Sequence, residues 1–533
     1  MPIKTSLWIL IPSLIAAALC ITPLVYLIIR VSGADSDIWE WLIRPRTMMV
    51  FTRSIVLAIS VTLLSVLIAV PITWFTTRTN MPYRKLWSVL TFLPLVIPSY
   101  VGAYIVLSFV GKGGLLYDIL NPLLGVEGIP TMYGYYGSLL TLSFLSYPYI
   151  ILTIRSNISN VDVSGEETAM LMGLNKFQTF IKVTIPSIKS AIFSGSLLVA
   201  LYTLSDFGAV SLLRYKTFTW SIFNQYEAGF DRNTAALLSL ALFVLATLFM
   251  AFEIFIRGNK KYYKNSSNAS KKLPKIDIGV WKWPAACFCA LVSLISVVIP
   301  LLVLLYWLAR GLYFGEDATT LTAESNHILA FNSITLSTLT AALVVALSLP
   351  VGYLTVRRPG ALTNIIEKMC FTGFALPSIA VSLSLVFFGA RIGPPLYQSI
   401  LLLVIACAVL YMPTGLGAIR SSMTQISPRY EESSMTLGKN KIKSAILTNL
   451  PLMKSGIIMA AATVFLITMK ELPAVLLLAP LDFHTLTTAI WSFTSEAFFA
   501  RAAIPSILLI FLSSIPLTMI VLKNNVFNSL GSE

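Results

Sequence analysis

The chain has 533 residues, of which 56% are hydrophobic and only 11% are charged. An ordinary soluble domain carries about 25% charged residues. This composition therefore excludes an ordinary soluble protein and indicates a membrane protein. The net charge of +15 does not indicate nucleic-acid binding, because the lysines and arginines lie in short polar segments between long apolar runs. We therefore expect the chain to lie in a lipid bilayer and to have no nucleic-acid partner.

Long apolar runs divide the chain into predicted membrane helices. Crossing a bilayer takes roughly 20 apolar residues, and backbone groups in hydrocarbon must be bonded within their own segment, so each run is predicted to be one helix. The first run is too long for the core of a signal peptide and is interpreted as a retained membrane helix. The expected fold is all-α and polytopic. The twelve predicted spans are residues 7–30, 53–75, 88–110, 136–155, 190–213, 234–256, 283–308, 332–355, 370–390, 398–418, 456–479 and 502–523.

The distribution of basic residues predicts the orientation of the chain. Cytoplasmic loops of membrane proteins are enriched in Lys and Arg. Here those residues concentrate in every second loop, including 155–190, 257–282 and 420–455, whereas the alternate loops hold acidic residues such as Asp35 and Glu316. The N- and C-termini are therefore both expected to be cytoplasmic.

The second part of the chain repeats the first. Pro98-Ser99 recurs 279 residues later as Pro377-Ser378, and Arg155-Ser156 recurs 265 residues later as Arg420-Ser421. Six spans per half is an even number, so the two six-helix repeats are parallel and related by a pseudo-two-fold axis along the membrane normal. The predicted domains are a first half at 1–257, a flexible cytoplasmic linker at 258–281 and a second half at 282–533.

The most informative repeat is a polar loop that occurs once in each half, at 155–190 and 420–455. Asp162 and Ser427 occupy equivalent positions and are suitable helix N-caps. Paired glutamates follow in the first turn, where the helix dipole favours negative charge, and a glycine ends or bends the helix. We predict a short helix along the cytoplasmic face in each half, suited to docking onto a two-fold partner. The alternative is an amphipathic loop that only lies on the membrane surface, although such binding requires no fixed spacing.

These loops resemble the EAA loop in the permease subunits of binding-protein-dependent ABC importers. The family pattern is Glu-Ala-Ala, three residues, Gly, nine residues and Ile-x-Leu-Pro, and both loops match its Glu, Gly and Pro spacing. They depart from the pattern at Thr168, Ser433 and Ser434, which remain small, and at Val183 and Thr448. The resemblance implies that the following loop residues couple the chain to an ATPase subunit: Glu166, Glu167, Ala169, Gly173, Pro186, Glu431, Glu432, Ser434, Gly438 and Pro451.

The same resemblance implies the fold, partners and localisation of the chain. A type I ABC importer permease receives substrate from a periplasmic or extracellular binding protein and is driven by a separate, homodimeric cytoplasmic ATP-binding subunit. That subunit would bind ATP and Mg²⁺, and no cofactor is expected in this chain. The chain lacks a Gly-x4-Gly-Lys-Ser/Thr phosphate loop and shows no apparent Ser-His-Asp or Cys-His arrangement, so an enzyme is not expected. The expected location is the bacterial cytoplasmic (inner) membrane.

Charged residues interrupt two of the predicted spans, with Asp206 in the fifth and Lys470 and Glu471 in the eleventh. Asp206 and Glu471 are equivalent positions of the repeat, and intramembrane charges usually mark a transport pathway. We predict that all three line the translocation path. The two carboxylates are expected to bind a metal cation transiently, because hard cations prefer oxygen ligands. The alternative is that Glu471 only pairs with Lys470 or caps a helix broken at Pro473.

The segments around these charges favour one substrate. Residues 206–210 (Asp-Phe-Gly-Ala-Val) and 470–474 (Lys-Glu-Leu-Pro-Ala) resemble the corresponding segments of ferric-iron importer permeases. Thiamine and polyamine permeases share the architecture and part of these segments. The expected function is therefore translocation of iron(III), with thiamine or polyamine import as alternatives. A secondary transporter or a receptor is a further alternative, but neither needs a pair of docking loops.

Overall fold

The structure, a computed structural model, describes residues 7–33, 39–110, 114–124, 132–158, 163–229, 231–257, 276–314 and 323–523. The predicted N-cap Asp162 and residues 258–275 of the predicted linker lie outside these ranges. Within them the chain is almost entirely helical, and the β pairing is limited to an isolated bridge between Thr79 and Ile276.

Helices α1 to α13 belong to the first half of the chain and helices α14 to α26 to the second. The helices of the first half are α1 (Leu7–Ser32), α2 (Glu40–Ile43), α3 (Pro45–Arg78), α4 (Arg84–Leu90), α5 (Ser99–Val110), α6 (Leu115–Leu124), α7 (Tyr135–Ile158), α8 (Val163–Leu171), α9 (Lys176–Thr179), α10 (Ile185–Ser205), α11 (Gly208–Leu212), α12 (Phe218–Glu227) and α13 (Arg232–Arg257). Those of the second half are α14 (Lys282–Ser293), α15 (Ile299–Phe314), α16 (Ala323–Arg357), α17 (Ala361–Phe371), α18 (Ser378–Arg391), α19 (Ile400–Thr424), α20 (Pro428–Thr436), α21 (Lys441–Ser444), α22 (Leu450–Leu452), α23 (Lys454–Thr468), α24 (Pro473–Leu478), α25 (Leu486–Ser495) and α26 (Phe499–Lys523). Short 3-10 or π segments lie at Leu93–Val96, Phe180–Thr184, Gly279–Trp281, Leu294–Val298, Thr372–Phe374, Pro394–Leu396 and Ala445–Asn449.

Long apolar helices confirm the predicted membrane-spanning architecture. In the described residues, 10 helices are long and apolar enough to cross a bilayer, and two bent pairs bring the number to as many as 12. Each of the predicted spans overlaps one of them, so the all-α, polytopic fold class is confirmed. Large apolar side chains such as Leu67 and Phe252 are exposed on the outer surfaces of these helices, as expected where lipid tails replace water.

The expectation of one continuous helix per span is wrong for several spans. In the predicted span 88–110, α4 ends at Leu90 and α5 begins only at Ser99, because Pro94 and Pro98 provide no backbone N–H for a continuous helix. In the predicted span 370–390, the segments before and after Pro377 are bent by 108°. Each half therefore has a broken helix at the same place in the repeat.

Local contacts recur in the two halves as the repeat predicts. The backbone N–H of Phe218 donates to Ser54 Oγ at 3.0 Å, and the backbone N–H of Leu486 donates to Ser333 Oγ at 2.9 Å. These two bonds fix the starts of α12 and α25 against α3 and α16. The halves thus share hydrogen bonds between elements that are distant in sequence, and not only the order of their helices.

The first span of each half packs against the other half. Helix α1 contacts α16, α17 and α18, where the small residues Ala16 and Cys20 allow close approach to Cys370. Helices α14 and α15 lie against α3, α4 and α5, and the π segment between them brings Ser296 Oγ to 3.4 Å from Tyr147 Oη. The two halves are therefore interlocked by an exchange of helices.

The end of the predicted linker is fixed to the first half. Ile276 N–H donates to the carbonyl oxygen of Arg78 at 2.8 Å, and Asn80 N–H donates to the carbonyl oxygen of Ile276 at 3.2 Å. The Asn80 side-chain amide also donates to Asp277 Oδ1 at 2.6 Å. The chain thus enters its second half directly beside the end of α3, and the flexibility expected for residues 258–281 does not extend to this part.

Two glycines in membrane helices, one closely packed and one not, predict opposite effects of Gly→Ala substitution on stability. A Cβ at Gly195 in α10 would lie 2.9 Å from Ile150 Cα in α7, whereas a Cβ at Gly417 in α19 would meet nothing within 4 Å. We expect Gly195→Ala to cost about 1–3 kcal/mol through overpacking. We expect Gly417→Ala to be neutral or to stabilise by about 0.5–1 kcal/mol. Thermal unfolding midpoints of the two purified variants test this, and a stable Gly195→Ala protein would contradict the described packing of α7 on α10.

Candidate functional site

The two loop helices predicted from the repeat are present as α8 and α20, and both end in the same way. Gly173 and Gly438 have φ angles of +90° and +84°, a conformation that disfavours a side chain. Each glycine closes a complete Schellman motif. Its own N–H and that of the following residue donate to carbonyl oxygens in the last turns of the helix. The glycine is needed for its backbone conformation, since a Cβ at either position would meet nothing within 4 Å.

Side-chain caps set the starts of these short helices. Ser427 caps α20 by accepting from the backbone N–H of Arg429 at 3.4 Å. Asn175 and Asn440 then cap α9 and α21, each accepting a backbone N–H at 2.8 Å. The path of each loop is therefore determined by local sequence, and it is the same in both halves.

The first glutamate of each predicted pair is buried inside the protein. In the first half, Glu166 is 2% exposed and forms an ion pair with Arg78, which is 1% exposed. Its other carboxylate oxygen accepts from Thr184 Oγ1 at 2.7 Å. Arg78 is the last residue of α3, and Thr184 lies in the π segment that leads into α10. The carboxylate thus joins α8 to two membrane helices.

The second half repeats this arrangement with different partners. Glu431 accepts from Tyr353 Oη at 2.6 Å and from Asn449 Nδ2 at 3.1 Å, and it lies 3.8 Å from Arg357 Nε. Arg357 and Asn449 are the repeat equivalents of Arg78 and Thr184. Glu166 and Glu431 are therefore placed as anchors between each loop helix and its membrane helices, and they do not face the solvent.

The second glutamate of each pair faces the solvent, together with apolar side chains that the sequence analysis missed. Glu167, Glu432, Gly173, Gly438, Pro186 and Pro451 are exposed, whereas Ala169 and Ser434 are buried. Met172 and Leu437 are 81% and 82% exposed, and Ile181 and Ile446 are 46% and 50% exposed. Each of these is an equivalent pair at an offset of 265 residues. Apolar residues recurring in a polar loop were the signal that could have found them.

The charges predicted for the translocation path lie at helix breaks and not inside helices, which corrects the predicted spans 190–213 and 456–479. Helix α10 ends at Ser205, and the Asp206 carboxylate accepts from the backbone N–H groups of Ala209 at 3.0 Å and Val210 at 3.3 Å. Asp206 is thus the N-terminal cap of α11. An acidic side chain there is favoured by the helix dipole and by the unpaired N–H groups of the first turn.

Glu471 occupies the same position in the second half. Helix α23 ends at Thr468, and Glu471 accepts from the backbone N–H of Ala474 at 3.1 Å, at the start of α24. The carboxylate also accepts hydrogen bonds from the hydroxyl groups of Ser378 and Tyr411. The interpretation that Glu471 caps a helix broken at Pro473 is thus supported by the geometry, and the residue is buried.

Serine residues from the other broken helices lie beside both carboxylates. Ser378, the first residue of α18, donates to Glu471, and Ser99, the first residue of α5, lies close to Asp206. Ser99 and Ser378 are themselves equivalent in the repeat. In each half, the carboxylate at one helix break and the serine at the other helix break are therefore close together.

The breaks of the two halves also meet each other. A Cβ on Gly208 would lie 2.9 Å from Tyr100 Cβ and 3.4 Å from Leu472 Cδ2, so the segment after Asp206 packs closely against the segment after Glu471. On the far side of the break, Trp491 Nε1 donates to Ser211 Oγ at 3.4 Å. Besides the exchanged helices, the interface between the halves therefore includes interrupted helices whose ends carry the acidic residues.

Lys470 does not pair with Glu471. Among the described residues its ammonium group donates to the carbonyl oxygen of Leu95 in the first half, at 2.6 Å. The part of the chain that the structure describes also contains no group of three or more His, Cys, Asp or Glu residues that could hold a metal ion. Asp206 and Glu471 are both buried, and in this arrangement their carboxylate oxygens are engaged by their own helix ends.

Comparisons with known proteins give the family. The model of the binding-protein-dependent transport system inner membrane component family matches residues 65–257 and 348–525, once in each half. The chain belongs to this family. It is a multi-pass permease of an inner-membrane transport system, and membership implies an ABC ATPase and a binding protein as partners.

Full-length relatives share the two-half organisation. The chain is 31% identical to the Fe(3+)-transport system permease protein FbpB 2 of Haemophilus influenzae, over 98% of this chain and 99% of that protein. It is 21% identical to the ferric transport system permease protein FbpB of Actinobacillus pleuropneumoniae, over 87% of this chain and 70% of that protein. The sulfate transport system permease protein CysW of Synechococcus elongatus is 30% identical over 37% of this chain and 75% of its own length.

The buried anchor predicts a stability difference between the two glutamates of one pair. Glu166→Gln would leave the Arg78 guanidinium buried without its counter-charge, and breaking a buried ion pair from one side costs about 3–5 kcal/mol. We expect a clear fall in the thermal unfolding midpoint for Glu166→Gln and no measurable change for the exposed control Glu167→Gln. Equal midpoints for the two variants would contradict a stabilising role of the Glu166–Arg78 ion pair. Arg78→Met combined with Glu166→Met should recover part of the lost thermal stability.

Proposed function

We propose that this permease is the membrane-spanning subunit of an ATP-driven importer that translocates iron(III). The observation that carries the proposal is the end-to-end similarity to a permease named for Fe(3+) transport. The central acidic residues support it. Two carboxylates beside hydroxyl groups provide the hard oxygen ligands that a small, highly charged cation prefers.

The path is proposed to run between the two halves at the breaks that carry Asp206 and Glu471. In the arrangement described here Asp206 accepts from two backbone N–H groups, Glu471 accepts from one backbone N–H and from the Ser378 hydroxyl, and Gly208 packs against the opposite break. Separation of the breaks would open the carboxylate oxygens to the path while their helix-capping bonds stay in place. Transient binding of the cargo by Asp206 and Glu471 belongs to this proposal, and so does a role for Lys470 beside the path.

The loop helices α8 and α20 are proposed to dock onto a homodimeric cytoplasmic ATP-binding subunit. The exposed residues Glu167 and Glu432, with Met172 and Leu437, offer the same surface twice, as a two-fold partner requires. Glu166 and Glu431 would pass movement of the loops to α3 and α16, because a buried ion pair or hydrogen bond resists sliding. That subunit would bind ATP and Mg²⁺.

The orientation follows from the same assignment. The loops 155–190 and 420–455 and both termini would face the cytoplasm, which agrees with the concentration of Lys and Arg in those loops. The opposite ends of the helices would receive iron(III) from a periplasmic binding protein.

Uptake measurements test the substrate and the acidic path together. In cells lacking only this chain, we expect uptake of labelled iron(III) to be lost and uptake of labelled thiamine to be unchanged. The wild-type chain should restore iron uptake. Glu471→Gln should restore much less, because glutamine keeps an oxygen to cap Ala474 N–H but removes the charge.

Each other outcome of that experiment has a definite meaning. Loss of thiamine uptake alone would overturn the iron(III) proposal and leave the importer architecture in place. Full iron uptake by Glu471→Gln and by Asp206→Asn would show that the carboxylates act only as helix caps. Membrane levels of each variant, measured in the same cells, control for misfolding.

The docking surface is tested by placing charge on its apolar residues. We expect Met172→Asp combined with Leu437→Asp to lower co-purification of the ATP-binding subunit by about tenfold or more, since central apolar contacts dominate interface affinity. The matched control is Leu481→Asp, because Leu481 is 79% exposed in the segment between α24 and α25, at the opposite ends of the helices. Unchanged co-purification in the double variant would exclude these residues from the interface.

A further inference from the structure

The ammonium group of Lys470 makes a contact that crosses from one half of the protein to the other. Lys470 lies in the break between α23 and α24, and its ammonium group reaches the carbonyl oxygen of Leu95, 375 residues away in sequence. Its neighbour Glu471 is held by Ser378 and Tyr411 of its own half. Adjacent residues of one break are thus bound to opposite halves of the protein.

The Leu95 carbonyl group needs an outside donor because of the local sequence. It lies in the 3-10 segment Leu93–Val96, where a carbonyl normally accepts from the N–H three residues later. That residue is Pro98, which has no N–H. Ile97 N–H is already bonded to the carbonyl oxygen of Pro94. A buried carbonyl group without a partner is costly in a membrane bundle, and the lysine supplies the missing hydrogen bond.

Apolar contacts surround this hydrogen bond. Val96, next to Leu95, packs in one cluster with Leu466 of α23 and Leu517 of α26. The broken third span of the first half is therefore held against the last two spans of the second half by this hydrogen bond and a small apolar patch, and further along α5 by a hydrogen bond from Tyr104 Oη to the carbonyl oxygen of Phe499 at 2.8 Å. At the level of the Leu93–Val96 segment the polar restraint comes from the lysine.

The residues at the equivalent positions of the repeat cannot form the contact that Lys470 makes with Leu95. The repeat equivalent of Lys470 is Ser205, whose side chain is several bonds shorter. Pro377, the equivalent of Pro98, removes the same N–H in the second half, but Ser205 has no ammonium group and too short a side chain to make the same bond. The lysine hydrogen bond is therefore a feature of one half and not of the repeat.

We propose that Lys470 is a positioning residue that latches the two halves in the closed arrangement, by donating to Leu95, and that this hydrogen bond must break when the path opens. The inference rests on the proposed function only in so far as the halves separate during transport. It does not depend on which cargo is carried. An ammonium group held at a carbonyl oxygen is suited to this role, because the bond is strong when dry and is readily exchanged for water when the interface opens.

The latch is tested by cross-linking in the assembled complex. The five native cysteines are replaced by alanine, and Val96→Cys and Leu466→Cys are introduced as reporters of the closed contact. The chain is reconstituted in liposomes with its ATP-binding subunit, and oxidative cross-link yield and ATP hydrolysis are measured without the binding protein. Lys470→Met removes the donor and keeps the length of the side chain.

We expect Lys470→Met to lower the initial cross-linking rate and to raise ATP hydrolysis without the binding protein, each by about tenfold, the factor expected for losing a charged hydrogen bond. Lys470→Arg, which keeps a donor, should recover much of both values. Ser205→Ala, at the equivalent position, should change neither. A general loss of structure would lower ATP hydrolysis and co-purification of the subunit, and would therefore be distinguishable.

Other outcomes separate this inference from the proposed function. Cross-linking and hydrolysis equal to wild type in Lys470→Met would overturn the latch and leave iron(III) import untouched. A wild-type chain that fails to import iron(III) while Lys470→Met shows both changes would overturn the substrate and leave the latch in place.

Discussion

A helix that is interrupted inside a membrane bundle needs partners for its freed backbone groups, because the surrounding hydrocarbon offers none. This constraint determines the centre of the permease. Asp206 and Glu471 cap the short helices α11 and α24, and Ser99 and Ser378 lie beside these carboxylates at the other broken spans. The residues that bond the interrupted helix ends are thus the same residues that bring acidic side chains into the interior.

The two halves share the same arrangement of helices but differ in the polar residues at equivalent positions. Asp206 is matched by Glu471, whereas Ser205 is matched by Lys470 and Ser146 by Tyr411. Fusion into one chain permits this difference, since each half can change independently while the exchanged helices α1 and α15 keep them together. A pathway between unequal halves can offer a cation different contacts on its two sides.

The two neighbouring glutamates of each loop have different environments. The inner glutamate of each pair is buried and bonded to α3 or α16, while the outer one is exposed in the same loop as Met172 or Leu437. A loop that is rigidly joined to membrane helices on one side and presents an apolar surface on the other is mechanically suited to coupling. Its shape depends on left-handed glycines and asparagine caps, which are local features.

Local and periodic signals were sufficient to predict much of this protein from its sequence. The apolar runs, the 265- and 279-residue offsets and the Glu, Gly and Pro spacing of the loops correctly indicated the helical class, the repeated halves and the family. These features follow from composition and from interactions between residues near one another in the chain. The helix breaks at Pro98 and Pro377 were also readable in principle, because proline acts locally.

Only the tertiary structure decided what the polar residues do. Glu166 is paired with Arg78, Lys470 donates to Leu95, and the backbone carbonyl of Asp206 accepts from Thr219 Oγ1. In each case the partner belongs to another structural element and is selected by the packing of several helices. A glutamate in a loop is the same residue in the sequence whether its carboxylate faces water or an arginine. Its role depends on its surroundings, and the neighbouring sequence does not reveal them.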